Sequence, residues 1–91
     1  LREFWMQPGR RDSEQPLRAW YAETRKAKWA DPHEVKAFSW IASVMGGGRV
    51  VFNIAGNKYR LVVAVRYDIG IVYVRFVGTH ARYNHINAKE V

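Results

Sequence analysis

Length, composition and charge exclude several classes of protein. With 91 residues, of which 48% are hydrophobic and 14% aromatic, the chain suits one small folded domain rather than a disordered segment. It has no cysteine, which excludes disulfides and thiolate metal sites and fits a reducing cytoplasm. No apolar run approaches the roughly 20 residues that a membrane-spanning helix needs.

The net charge of +7 is unevenly distributed along the chain. Residues 1–48 hold eight Lys/Arg against six Asp/Glu, whereas residues 49–91 hold seven against two. This excess is consistent with binding to a polyanion such as nucleic acid, and equally with a solvated basic surface that keeps the protein soluble.

The first half of the chain has the apolar spacing and the breakers of helices. Phe4 and Trp5 precede Pro8-Gly9, and Ser13 is a candidate N-cap for a second helix. That helix is predicted from an amphipathic set at i, i+3, i+4 and i+7: Leu17, Trp20, Tyr21, Thr24 and Lys28.

A third, short helix is predicted to begin at Asp31-Pro32, with Glu34 completing a start that resembles a capping box. The tryptophans and Phe38 have helical spacing, which favours core packing over base stacking. Residues 39–48 show no period, and Gly46-Gly47-Gly48 is expected to be a flexible connection.

The second half alternates at the period of β-strands, which are predicted over residues 49–54, 58–67 and 71–78. Gly56-Asn57 and Asp68-Ile69-Gly70 supply hairpin turns. The third strand is apolar on both faces and is predicted to be central. The sequence thus predicts an α+β domain, with N-terminal helices packed on a small antiparallel sheet and a short helix after residue 80.

Most catalytic signatures are absent from the basic half. It has no carboxylate pair and no glycine-rich phosphate loop before a helix, and His80 and His85 have no acidic companions for a metal. Arg60, Lys58, His80 and Tyr83 remain, and they suit phosphate chemistry without a metal or cofactor. Arginine stabilises phosphate charge, and histidine moves protons near neutral pH.

Each of these residues also has an ordinary structural explanation. A histidine at a strand end is often a polar surface residue, an alternating arginine is usually solvated, and Tyr83 can plug the space beneath a terminal helix. Residue types alone therefore do not decide between a nuclease site and a basic surface.

Five blocks of the chain resemble, in order and spacing, HigB-type toxins of the RelE/ParE superfamily. They are LREFW at residues 1–5, LRAWY at 17–21, RVVFNI at 49–54, GNKYRLV at 56–62 and VGTHA at 77–81. The last two blocks are specific in combination, whereas either alone would be weak.

The resemblance implies the toxin of a type II toxin–antitoxin pair, a ribosome-dependent mRNA endonuclease neutralised by a HigA-type helix-turn-helix antitoxin. It implies one cytoplasmic toxin domain over residues 1–91, with no cofactor, no membrane contact and a heterotetramer with the antitoxin. Arg60 would contact the scissile phosphate, with His80 and Tyr83 also catalytic. Expected RNA contacts are Arg49, Asn53, Lys58, Arg66, Arg75 and Arg82.

The chain departs from the HigB pattern in two places. HigB-type toxins usually begin with a short strand, and because this chain starts at Leu1 we expect it to lack that edge strand. The terminal block of the family commonly reads HAEYD followed by another acidic residue, whereas this chain has Arg82, Asn84 and Asn87. Losing these acidic groups is expected to strengthen phosphate attraction.

Two other functions remain open on the sequence. One is a ParE-like toxin that binds gyrase and cuts nothing, and the other is a basic RNA- or ribosome-binding module without activity. His80 and Tyr83 beside Arg60 favour the nuclease, because a gyrase binder needs no acid–base pair.

Overall fold

The computed structural model describes residues 1–39 and 41–91, and its elements follow the predicted order. Short 3₁₀ turns at Arg11–Ser13 and Gly46–Gly48 accompany the main elements. The helices are α1 (Arg2–Trp5), α2 (Glu14–Thr24), α3 (Pro32–Phe38) and α4 (His80–Tyr83), and the strands are β1 (Ser43–Met45), β2 (Arg49–Ile54), β3 (Tyr59–Arg66) and β4 (Ile71–Thr79). The predicted α+β class is confirmed. In the described part of the chain, no helix has both the length and the apolar character to cross a membrane.

The strands form one antiparallel sheet in the order β1-β2-β3-β4, so β3 is interior and β4 lies at an edge. The prediction that the strand from residue 71 would be central is wrong. Ile71, Tyr73 and Val74 are 41%, 44% and 44% exposed, because the described residues cover this edge strand incompletely. Strand β1 was missed, since three residues are too few to display a period of two.

The first face of the sheet, beneath the helices, holds the main core. Tyr59, Leu61 and Val63 of β3 are completely buried there. Phe52 of β2 meets the ring of Trp20 edge-on at 5.6 Å between centroids. Trp5, Trp20 and Trp29 are all buried, which confirms core packing for them, while Trp40 lies outside the described residues.

One of the two predicted helix caps is present in the structure, and the other is not. Asp31 caps α3, since its carboxylate accepts from the Glu34 amide at 3.0 Å. Ser13 precedes α2, but its hydroxyl donates to the Arg10 carbonyl instead of capping the helix. The helix ends at Thr24, so Lys28 lies beyond it, and Tyr21 is exposed rather than on the buried stripe.

The second face of the sheet is covered in part by the chain that follows α4. Val51 and Val62 are buried against Ala88, with Tyr83 and Ile86 packed around them. This smaller core holds α4 over the sheet. It therefore brings residues near the C-terminus onto the strand face that carries Arg60.

A carboxylate in the N-terminal, helical part of the chain bonds to residues at the start of β3 and so links the helices to the sheet. Asp12, in the 3₁₀ turn before α2, accepts hydrogen bonds from the Lys58 ammonium and, at 2.5 Å, from the Tyr59 hydroxyl. The bond from Lys58, followed by that from Tyr59, lowers the pKa of Asp12 below its ordinary value of 3.8. Burial raises the pKa of the Tyr59 phenol. The contact fixes the β2–β3 turn against the segment before α2.

The fold predicts a destabilising substitution at Gly78. A Cβ there would come within 2.6 Å of the Phe76 ring, so Gly78→Ala must displace that ring. We expect a loss of about 1–3 kcal/mol in the free energy of unfolding, measured by urea denaturation. Gly46→Ala is the matched control, because nothing lies within 4 Å of its added Cβ. Equal losses in the two variants would contradict the packing.

The Asp12 contact predicts a specific dependence of stability on pH. Because its folded pKa lies below 3.8, the stabilisation is complete at neutral pH and is lost as the pH falls through the folded pKa. Asp12→Asn should therefore lower stability at pH 7, and its difference from the parent should shrink below about pH 3.8. Glu23→Gln removes the same charge where no ion pair is present among the described residues. A difference that is constant from pH 7 to pH 3 would contradict this assignment.

Candidate functional site

Arg60 lies on the second face of the sheet, near the end of β3 that follows the β2–β3 turn. Its neighbours across the strands are Asn53 of β2 and Gly78 of β4. Since directly opposite residues project from the same face, Asn53 and Arg60 point to the same side of the sheet. Gly78 has no side chain to crowd this position.

The guanidinium of Arg60 is held in place by the turn that precedes it. Its Nη2 donates to the Asn57 side-chain oxygen at 2.7 Å, and its Nη1 donates to the Asn57 carbonyl at 3.2 Å. Among the described residues, Nε–H and the second N–H of Nη2 have no acceptor. These two parallel donors form the fork that binds a phosphate in bidentate geometry.

Helix α4 places two more predicted residues beside this guanidinium. The Arg60 Cζ lies 5.9 Å from the centre of the Tyr83 ring, a cation–π distance. His80 begins the helix, and its amide donates to the Lys58 carbonyl at 3.2 Å. Residues three apart lie on one side of a helix, so His80 and Tyr83 face the same direction.

The structure thus brings two of the predicted catalytic residues into contact and sets the third on the same helical turn. The His80 side chain is exposed, and its imidazole makes no hydrogen bond within residues 1–39 and 41–91. Its freedom leaves it available to a ligand. The catalytic roles of Arg60, His80 and Tyr83 stay predictions.

Three of the predicted RNA contacts already have partners within the chain. Lys58 pairs with Asp12. Arg66 donates to both oxygens of Asp68, at 3.2 and 3.0 Å, and this lowers the pKa of Asp68. Arg49 donates to the main-chain oxygen of Val91 at 2.9 Å. RNA would have to compete with these acceptors.

The predicted contacts are also divided between the two ends of the sheet. Six residues separate Arg60 from Arg66 on one strand, a distance of roughly 20 Å at ~3.3 Å per residue. Arg75 is the extra residue of a β-bulge opposite Val62 and Val63, and it lies over the Tyr73 ring at 5.8 Å. Lys58, Asn53 and the α4 residue Arg82 accompany Arg60 at its end of the sheet, and Lys58 is bonded to Asp12.

Sequence reasoning missed two residues that shape the site. Asn57 was noted only as a turn residue, although a side-chain amide three positions before an arginine is a local signal that the two can bond. Asp12 is 46 residues from Lys58, and no local pattern connects them. Within the described residues, no group of three or more His, Asp or Glu side chains is placed to hold a metal ion.

The arrangement is suited chemically to a phosphodiester. A fixed guanidinium with two free donors offers charge stabilisation, and a neighbouring imidazole and phenol offer sites for proton transfer. Arg60 is half-exposed and His80 and Arg82 are exposed, so an extended strand of nucleic acid has access to the guanidinium and to α4.

Comparison with known proteins is consistent with this geometry. The family model for HigB toxin, described as the RelE-like toxic component of a toxin–antitoxin system, matches residues 13–86. None of the curated proteins matches the chain significantly. The matched range covers most of the chain and includes Arg60, His80 and Tyr83. The chain therefore belongs to the HigB toxin family, the RelE-like toxic components of toxin–antitoxin systems.

Proposed function

We propose that this toxin is a ribosome-dependent endoribonuclease that cleaves mRNA in the ribosomal A site and so blocks translation. The observation that carries the proposal is the Arg60 guanidinium, which is fixed by Asn57 and keeps a two-donor fork free next to Tyr83, on the helical turn that also carries His80. A toxin that only bound a protein target would have no need of a preoriented phosphate fork beside an imidazole.

In this mechanism the substrate supplies its own nucleophile. The 2′-hydroxyl attacks the adjacent 3′-phosphorus, the O2′–P bond forms, and the P–O5′ bond breaks. His80, assisted by Tyr83, moves the proton that leaves the 2′-oxygen and delivers one to the departing 5′-oxygen. The products are a 2′,3′-cyclic phosphate and a 5′-hydroxyl.

Arg60 stabilises the charge that develops during this displacement. The phosphorane carries more negative charge on its non-bridging oxygens than the ground-state diester, and a guanidinium that is already oriented costs little reorganisation. The bonds to Asn57 therefore contribute to the rate by fixing the fork. Asn53, across the strand pair, is placed to contact the neighbouring ribose or phosphate.

The partner is an antitoxin, as membership in a toxin–antitoxin family implies. We propose a HigA-type helix-turn-helix protein that binds as a heterotetramer. An antitoxin that neutralises the toxin by occlusion should present acidic groups to the basic C-terminal half of the chain, where residues 49–91 contain seven Lys/Arg and two Asp/Glu.

Cleavage by purified variants tests the proposed chemistry. With programmed ribosomes, Arg60→Ala should lower the rate about 10²–10³-fold, because one charge stabiliser is removed. His80→Gln should lower the chemical step more than ribosome binding. A message with a 2′-O-methyl group at the cut position should survive, and mapped ends should carry the cyclic phosphate.

Arg25→Ala is the matched control, because it removes the same charge from the end of α2, away from α4. Thermal melting of each variant separates lost chemistry from lost folding. If Arg60→Ala and His80→Gln both cleave at the rate of the parent protein, the proposed mechanism is wrong. Intact mRNA together with blocked DNA replication would instead support a gyrase-binding toxin.

Association with the antitoxin gives a separate expectation. Coexpression with the cognate antitoxin should yield a tight complex, and light scattering should give the mass of two toxin and two antitoxin chains. Because charged surfaces meet, the association rate should fall as ionic strength rises. A toxin that purifies without its antitoxin, or a rate independent of salt, would count against this mode of binding.

A further inference from the structure

A small cavity opens at the C-terminal end of β4 beside α4, and its lining includes Gly78, the cross-strand neighbour of Arg60. Its volume is 130 Å³, and its polar lining comes from Gln7 and Arg10 on one wall and Thr79 and Arg82 on the other. None of the lining residues is acidic. The cavity is partly open to solvent, and its cationic and amide lining suits an oxyanion such as a phosphate group.

Both arginines of this cavity keep their donors free in the described part of the chain, although the charge of Arg10 acts on the nearby Tyr59 phenol. Neither guanidinium makes a hydrogen bond or an ion pair there, in contrast to Arg66 with Asp68 and Lys58 with Asp12. Two cations that border one small space repel each other, so an anion between them relieves an unfavourable interaction. Arginine pairs with phosphate through parallel donors, and the Gln7 amide and Thr79 hydroxyl add further donors.

The cavity and the proposed active site share a single turn of helix. Arg82 is the neighbour of Tyr83, and Thr79 is the neighbour of His80. An RNA strand that crosses α4 with its scissile phosphate at Arg60 therefore brings a flanking phosphate toward the cavity. Two fixed phosphates beside α4 would define the register of the strand, because phosphate contacts position nucleic acid without reading its bases.

We propose that Arg10 and Arg82 form a second phosphate-binding site, which holds a backbone phosphate next to the scissile one. The inference rests on the proposed nuclease function and adds Arg10, from the segment before α2, to the RNA-binding surface. The site serves binding and register, whereas Arg60 serves the chemical step.

Binding of an uncleavable RNA tests the site without requiring catalysis. The probe is a fluorescein-labelled, fully 2′-O-methylated single-stranded decamer, and its affinity is measured by anisotropy over a range of salt. For a single strand, the loss of one phosphate contact lowers the slope of log affinity against log salt concentration by about 0.7. The double variant Arg10→Gln with Arg82→Gln should show this decrease and bind the decamer about tenfold more weakly or worse. Arg25→Gln removes one positive charge, as Arg10→Gln and Arg82→Gln each do singly, and it should leave the slope unaltered.

Ribosome-dependent cleavage supplies the second readout. The double variant should raise KM and largely keep kcat, whereas Arg60→Ala lowers kcat. If the parent protein does not cleave mRNA, the nuclease proposal fails. Binding of the decamer still tests whether Arg10 and Arg82 form a phosphate-binding site.

Free phosphate is the competing occupant. Titration with inorganic phosphate, followed by NMR of the arginine side chains, tests for an isolated anion. If inorganic phosphate binds only when both arginines are present, but the double variant has the same salt slope for RNA as the parent, the proposal is wrong. An equal effect of Arg25→Gln would overturn it as well, because the charge would then act without a site.

Discussion

The register of β3 is the constraint on which the rest of the structure depends. Its odd-numbered residues Tyr59, Leu61 and Val63 are completely buried beneath the helices. Period-two geometry then places Arg60 on the opposite face. A slip of one residue would push the guanidinium into an aromatic core, where an unpaired charge costs several kcal/mol, and would expose the residues that form this core. The same register of β3 therefore both buries the core residues and places Arg60 on the opposite face.

The turn before β3 converts that placement into a fixed geometry. Ala55 has a φ of 54°, and Gly56 has a φ of 70°, so two successive residues adopt the left-handed conformation. Glycine does so freely, whereas alanine does so at a cost of about 1–2 kcal/mol. The resulting turn brings Asn57 back against Arg60 and Lys58 toward Asp12. The local strain is offset by contacts that the same turn creates.

The sequence was informative where a local pattern has one physical cause. The faces of β2 and β3, both hairpins and the cap at Asp31 follow from short-range spacing, and the structure has them. The edge position of β4 did not follow, because alternation records which faces are apolar and not which strands lie beside one another. The three-residue strand β1 is too short for any period.

The site divides in the same way. Arg60 and Tyr83 were expected together because of a family resemblance, and they do lie together. The pairing of Lys58 with Asp12 joins positions 46 residues apart and depends on how the helical half docks on the sheet. No spacing rule in the sequence contains that information.

The distribution of ion pairs decides which positive charges can act on a ligand. A net charge of +7 suggests a uniformly attractive surface, but Lys58, Arg66 and Arg49 already bond to Asp12, Asp68 and the Val91 main chain. RNA gains little from a cation whose existing partner it must displace. Of the predicted RNA contacts, the side chain of Arg82 makes no ion pair or hydrogen bond within the described residues, and it lies on α4 beside the partly free guanidinium of Arg60. Under the proposed function, RNA would therefore be attracted by the whole protein at long range and held at the α4 end of the sheet, where His80 also lies.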